Sequence, residues 1–156
     1  MRNSRSSWPS SPSRATPTLP EPASRAVVLD TDVASRSFKG LLPPRLSARL
    51  AGRQPLLKFV TIGELTQWAK LRHWGPRNRG MLDAWLSDKP VIPGAKSIAV
   101  LWGELSAGAT QRGRPRPVND TWIAACCLAY GLPLATLNVK DFADFAEHEG
   151  LVLIRA

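Results

Sequence analysis

Four short apolar runs, Ala26–Leu29, Leu56–Val60, Leu134–Thr136 and Leu151–Ile154, constrain this chain more than anything else in it. Each has the length of a strand rather than a helix, and the apolar residues between them recur at helical spacing. Short apolar strands without a polar alternation are buried on both faces, and strands joined by helix-length connections pair in parallel. The chain is therefore expected to be α/β, a three-layer α/β/α unit around a central, mostly parallel sheet of four or five short strands.

The connecting segments carry their own punctuation. Pro43-Pro44 opens a helix that Gly52 can end, and Thr61–Leu71 is helical after the second run. A helix over about Asn78–Ser87 carries Met81, Leu82, Trp85 and Leu86 on one side. Another, over about Lys96–Gln111, has Ile98, Leu101, Trp102 and Leu105 as its stripe. Asn119–Tyr130 is a helix closed by Gly131, and a short helix ends near His148. No internal repeat is present.

Residues 1–24 (MRNSRSSWPSSPSRATPTLPEPAS) are rich in Ser, Pro and Arg and nearly empty of aliphatic side chains. Such a segment buries too little surface to offset its ordering entropy, so a disordered extension is expected, with one domain over 25–156. Adjacent Cys126 and Cys127 lie in an apolar stretch and read as small core residues of a reducing compartment. No run approaches the roughly 20 apolar residues of a membrane span, and no secretory h-region is visible. A cytoplasmic location without membrane attachment is expected. Lys and Arg number 21 against 12 acids, a net charge of +9, which favours polyanionic partners.

Four polar groups fall just after a strand or in a first helical turn: Asp30 (LDTD), Glu64 (VTIGEL), Asp120 (VNDTWIAA) and Asn138 (ATLNVKDF). Singly, each has a structural explanation. Asp30 or Asp32 can cap a helix, Thr61-x-x-Glu64 matches a capping box, and Asn119 or Asp120 suits a helix start. Together they fall at the carboxyl rim of an open parallel sheet, where ligands bind. Asp120 also extends the buried stripe of Ile123, Ala124 and Cys127. Carboxylates about 4–5 Å apart repel by several kcal/mol where screening is weak. A divalent cation relieves that repulsion, and oxygen ligands without His or Cys select Mg2+ or Mn2+ over zinc. On a basic chain such a centre points to phosphodiester chemistry.

At these residues the sequence resembles PIN domains, and more narrowly the VapC-type toxins of bacterial toxin–antitoxin pairs, from about Val27 to Ile154. The landmarks occur in order: Asp30-Thr31-Asp32 for DTN, Glu64 in TIGEL, Asp120-Thr121-Trp122-Ile123-Ala124-Ala125 for D-x-x-IAA, and Thr136-Leu137-Asn138-Val139-Lys140-Asp141-Phe142 for T-x-[DN]-x-x-x-F. The resemblance implies a metal-dependent endoribonuclease that cuts structured RNA such as tRNA or rRNA. It also implies a homodimer and a cognate VapB-type antitoxin that silences the groove. Carried onto this chain, Asp30, Glu64 and Asp120 are the metal ligands, and Asn138 stands at the fourth position. Asp32 stands where the family usually has Asn. Asp141, one helical turn beyond Asn138, either supplies the missing carboxylate or is an exposed first-turn acid, which leaves one or two ions open.

Two basic segments are candidates for RNA. KLRHWGPRNRG places Arg72, Arg77 and Arg79 beside His73 and Trp74, and RGRPRP places Arg112, Arg114 and Arg116 just before Asp120. The alternative for the first is a basic hairpin whose Trp68, Trp74 and Trp85 pack inward. Two other functions compete. One is a nucleic-acid-binding regulatory complex in which the PIN site is silent. The other is a haloacid-dehalogenase-like phosphatase with Asp30 as nucleophile and Asp32 as acid, in which Glu64 and Asp120 have no role.

Overall fold

A computed structural model describes residues 25–156; the extension expected over 1–24 lies outside the described residues. The strands are β1 (Ala26–Leu29), β2 (Gln54–Lys58), β3 (Val91–Ile92), β4 (Leu134–Ala135) and β5 (Leu153–Ile154). All pair in parallel, in the order β3-β2-β1-β4-β5. The helices are α1 (Thr31–Lys39), α2 (Pro44–Leu50), α3 (Phe59–Leu71), α4 (Pro76–Ser87), α5 (Lys96–Gln111), α6 (Val118–Tyr130) and α7 (Val139–Glu149).

Side-chain alternation along the strands divides the core in two. Val27, Leu29, Leu57, Ala135 and Ile154 face α1 to α4, packing on Val33, Ala34, Leu46, Leu65, Ala69 and Leu82. Ala26, Val28, Leu56, Ile92 and Leu134 face α5 to α7, among them Ile98, Leu105, Ile123, Cys127, Phe142 and Phe145. The expected three-layer arrangement is what the chain adopts. Its cover changes face between β3 and β4, where the strand order also reverses across β1. The gap between the ends of β1 and β4 is therefore the topological switch point, the position at which open parallel sheets form ligand crevices.

Several boundaries differ from the sequence reading. β2 covers Gln54–Lys58 rather than Leu56–Val60, and α3 begins at Phe59. Phe59 and Val60 are strand formers by propensity, but helical packing overrides it and buries Val60 and Thr61. Pro55 is tolerated in β2 because β3 pairs only with the later Leu57 and Lys58. Thr61 consequently sits inside a helix whose N-cap is Lys58, so the capping-box explanation of Glu64 is overturned. The two-residue β3 carries too short a pattern to be read from sequence. α1 is opened by Asp30, as the sequence allowed, and closed by Gly40 at φ 69°.

Leu105, 1% exposed, is a core contact of α5. Leu105→Ala is expected to lower unfolding stability by about 2–5 kcal/mol in a urea melt with unchanged slope. A loss below about 1 kcal/mol would contradict this packing.

Candidate metal centre

The site is built from the end of β1. The backbone N–H of Asp30 donates to the Ala135 carbonyl at 2.9 Å, fixing it at the switch-point rim. Its side chain is 5% exposed and both oxygens are occupied: Oδ1 accepts from the Thr31 N–H at 2.7 Å, Oδ2 from the Thr136 hydroxyl at 3.0 Å. Thr136 Oγ1 also accepts from the Asn138 backbone N–H at 3.0 Å, coupling the start of α7 to Asp30. The hydroxyls of Thr31 and Thr61 meet at 3.2 Å, tying α1 to α3, the helix that carries Glu64.

Beneath this rim lies Lys58, 0% exposed, whose Nζ donates to the Leu29 carbonyl at 2.8 Å. Sequence reading missed it, because a lysine at a strand end looks like a solvated terminus. Alternation from Leu56 was the available signal, since it puts Lys58 on the α6 side of the sheet. Burial pushes the Asp30 carboxyl above the usual carboxylate range, while Lys58 and the two hydrogen bonds pull it back. Burial lowers the Lys58 ammonium in turn, against the fields of Asp30 and Glu64.

Asp120 is half-buried in the first turn of α6 and its carboxyl is raised to about 6. Desolvation is the leading cause, followed by the charges of Asp141, Asp30 and Glu64, with Lys58 opposing. The acids from β1, α3, α6 and α7 thus share one electrostatic neighbourhood, and Asp141 is the strongest carboxylate neighbour of Asp120. Aromatic packing holds the start of α6. Trp122 lies between Phe59 and Trp102, with ring centroids 5.7 Å and 5.2 Å away. The Trp102 indole N–H donates to the Val118 carbonyl at 3.2 Å.

Glu64 is joined to Asn119, whose side-chain amide donates to Oε1 at 2.7 Å. Asn119 is therefore not the N-cap the sequence offered; Pro117 takes that place, and Asn119 bridges α6 to α3. Asn138 is exposed and caps α7 without a side-chain hydrogen bond. Asp32 turns outward to Arg36 at 3.5 Å.

The donor set is all oxygen and carries more acids than the single buried ammonium beside it, which fits a hard divalent cation in chemistry and charge. Among the described residues no three His, Cys, Asp or Glu side chains stand close enough to form a ready-made ion cage. Ligation would therefore involve side-chain movement, with Glu64 leaving Asn119.

The basic segments divide. Arg112 is committed internally: Nε and Nη2 engage Asp144, the latter at 2.6 Å, and Nη1 reaches Glu149 at 3.3 Å. This clasp holds the buried Asp144 carboxyl below its usual range. Gly108 gives it room, since a Cβ there would meet Arg112 Nη1 at 3.1 Å. Arg114 is exposed and Arg116 partly so. In the other segment Arg72, Arg77 and Arg79 are exposed, and Arg72 lies over the Trp68 ring at 5.8 Å. Trp74 stacks on Phe38 with centroids 6.0 Å apart, so it packs inward. Lys70, His73, Trp74 and Arg79 nevertheless line an open cleft of about 340 Å³. Cys126 and Cys127 are free and fully buried, and burial pushes their thiols to about 11 and about 12.

An all-parallel α/β/α unit with this strand order defines the class of the chain: it has the PIN fold. No family model matches the sequence. It is 25% identical over 118 residues to Ribonuclease VapC1 of Haemophilus influenzae, covering 74% of this chain and 88% of that protein. Among solved structures, it resembles VapBC-5 of Mycobacterium tuberculosis at 28% identity and a TM-score of 0.65, over 85% of this chain and 99% of the other. It also resembles VapBC2 of Rickettsia felis bound to a promoter DNA fragment, at 21% identity and a TM-score of 0.72, over 84% and 98%. In sequence and fold the chain is similar to the VapC-type PIN-domain proteins of VapBC toxin–antitoxin systems. Among the described residues, no helix is long and apolar enough to cross a membrane.

The raised Asp120 carboxyl has a stability consequence. The folded form holds this proton more tightly than the unfolded chain, so ionisation subtracts stability as pH rises from about 4 to about 6. In EDTA, Asp120→Asn is expected to stabilise the protein by about 1–2 kcal/mol above pH ~6 and by little near pH ~4, after allowance for solvent screening. Urea melts at both pH values check this.

Proposed function

We propose that this chain is the toxin of a toxin–antitoxin pair and acts as a Mg2+-dependent endoribonuclease on structured RNA, with Mn2+ as an alternative ion. The observation that carries the reading is the surplus of carboxylates around half-buried Asp120, which a divalent cation would neutralise. The likeness to a protein named a ribonuclease supports the activity, and the likeness to VapBC complexes supports a VapB-type antitoxin as partner. A homodimer belongs to the same reading.

In this mechanism Asp30, Glu64 and Asp120 would hold the cation, and Asn138 and Asp141 would be further candidate ligands. When bound, Mg2+ supplies Lewis acidity toward an attacking water and offsets charge at the scissile phosphate. Asp30 is pre-oriented by Thr31 and Thr136, so it reorganises little on binding. Asn119 holds Glu64 through its side-chain amide, a hydrogen bond that Glu64 would give up to serve as a ligand. Arg114 and Arg116 neutralise phosphates beside Asp120, Arg79 offers a further phosphate contact from the cleft beside His73, and exposed Arg72 and Arg77 add to the same basic segment. Arg112 fixes the base of the RGRPRP loop on α7, so its role in RNA binding is indirect. The phosphatase alternative loses its second acid, because Asp32 pairs with Arg36.

Purified protein is expected to cleave structured RNA with Mg2+ or Mn2+ and not with EDTA. Asp30→Asn and Asp120→Asn should each reduce cleavage at least 100-fold, with the fold retained by circular dichroism. Full activity in both variants would sink the assignment. If the protein with its antitoxin binds DNA in a salt-sensitive way while the isolated chain cleaves nothing, the regulatory reading replaces it. Arg114→Ala with Arg116→Ala should weaken RNA binding and flatten its salt dependence by about two phosphate contacts, measured by titration at several salt concentrations.

A further inference from the structure

Lys58 is a fully buried charged side chain that the proposed chemistry does not use. Its place is set by three independent features. It is the last residue of β2, on the same side of the sheet as Leu56 and hence toward α6. Its Nζ is anchored at 2.8 Å to the carbonyl of Leu29, the residue immediately before Asp30. Its charge bears on both Asp30 and Asp120, and the charge of Glu64 bears on it, so it faces the acids contributed by β1, α3 and α6 from the interior.

Burying an ammonium against a single carbonyl is costly unless opposite charge compensates it. Burying carboxylates side by side is costly for the same reason. Each group answers the other. The amine of Lys58 lies on the interior side, anchored next to Asp30, and the acids lie toward the rim.

We propose that Lys58 is a positioning residue, an internal counter-ion that keeps the acid cluster folded in the absence of metal and weakens the cluster's pull on a divalent cation. The inference rests on the metal-site reading above for its second half only; its first half concerns the metal-free protein. Lys58→Met keeps an unbranched stem of similar length among the neighbouring side chains and removes the charge. It also removes the hydrogen bond to Leu29, but that loss is the same whether or not Asp120 is ionised or Mg2+ is present. A purely structural lysine therefore shows no coupling to either.

The experiment is a double-mutant cycle at neutral pH on the full chain, comparing wild type, Lys58→Met, Asp120→Asn and the double variant by thermal unfolding in EDTA and in a MgCl2 titration. In EDTA, Asp120→Asn is expected to raise Tm by roughly 4 °C or more beyond its effect in wild type when Lys58 is already Met. Mg2+ is expected to raise the Tm of Lys58→Met at least about twice as far as that of wild type, with half-saturation at several-fold lower concentration. Additive Tm changes in EDTA overturn the proposal. If Lys58→Met does not fold in EDTA, recovery by Asp120→Asn supports the proposal, and failure of the double variant to fold overturns it. A wild-type Tm indifferent to Mg2+ removes the metal reading and with it the second half of the inference, while the EDTA cycle still decides the first.

Discussion

The structure depends on keeping a carboxylate where water barely reaches. Asp30 directly follows the central strand of a parallel sheet with 5% of its surface exposed, and its neighbours are organised around that demand. One oxygen caps α1, the other receives the Thr136 hydroxyl, and Lys58 is anchored below on the carbonyl of Leu29. The same hydroxyl organises the start of α7, and the Thr31–Thr61 contact brings in α3. An acid that is unfavourable for a strand thus becomes the point where three helices and three strands are set relative to one another.

The arginines show how a basic chain divides its charge between architecture and surface. Arg112 lies one residue past α5 and closes on Asp144 and Glu149 of α7, so its charge is largely cancelled within the protein. Among the described residues Arg114 and Arg116, a few residues on, form no ion pair, and they stand beside the entrance to α6. The distinction follows from where helix α7 places its acids, and the run RGRPRP gives no hint of it.

The sequence carried the layer order, the parallel sheet and most helix limits, because burial on both faces leaves an unmistakable apolar run. α5 falls on Lys96–Gln111 as its periodicity indicates. It was less informative where tertiary contacts override local preference. Phe59 and Val60 look like strand and are helix, and a strand of only Val91–Ile92 offers no period to detect. At the site, the acids stood out by their positions after strands, whereas their supports did not. Lys58 and Asn119 act across separations of 29 and 55 residues, reaching Leu29 and Glu64, so no local pattern announces them.

Cys126 and Cys127 lend the molecule an unplanned instrument. Their sulfurs are sealed in the core on the helix that also bears Asp120, and with thiols at about 11 and 12 almost no thiolate exists near neutrality. An alkylating reagent can reach them only when α6 lifts from the sheet, so its rate of capture becomes a clock for the breathing of that helix.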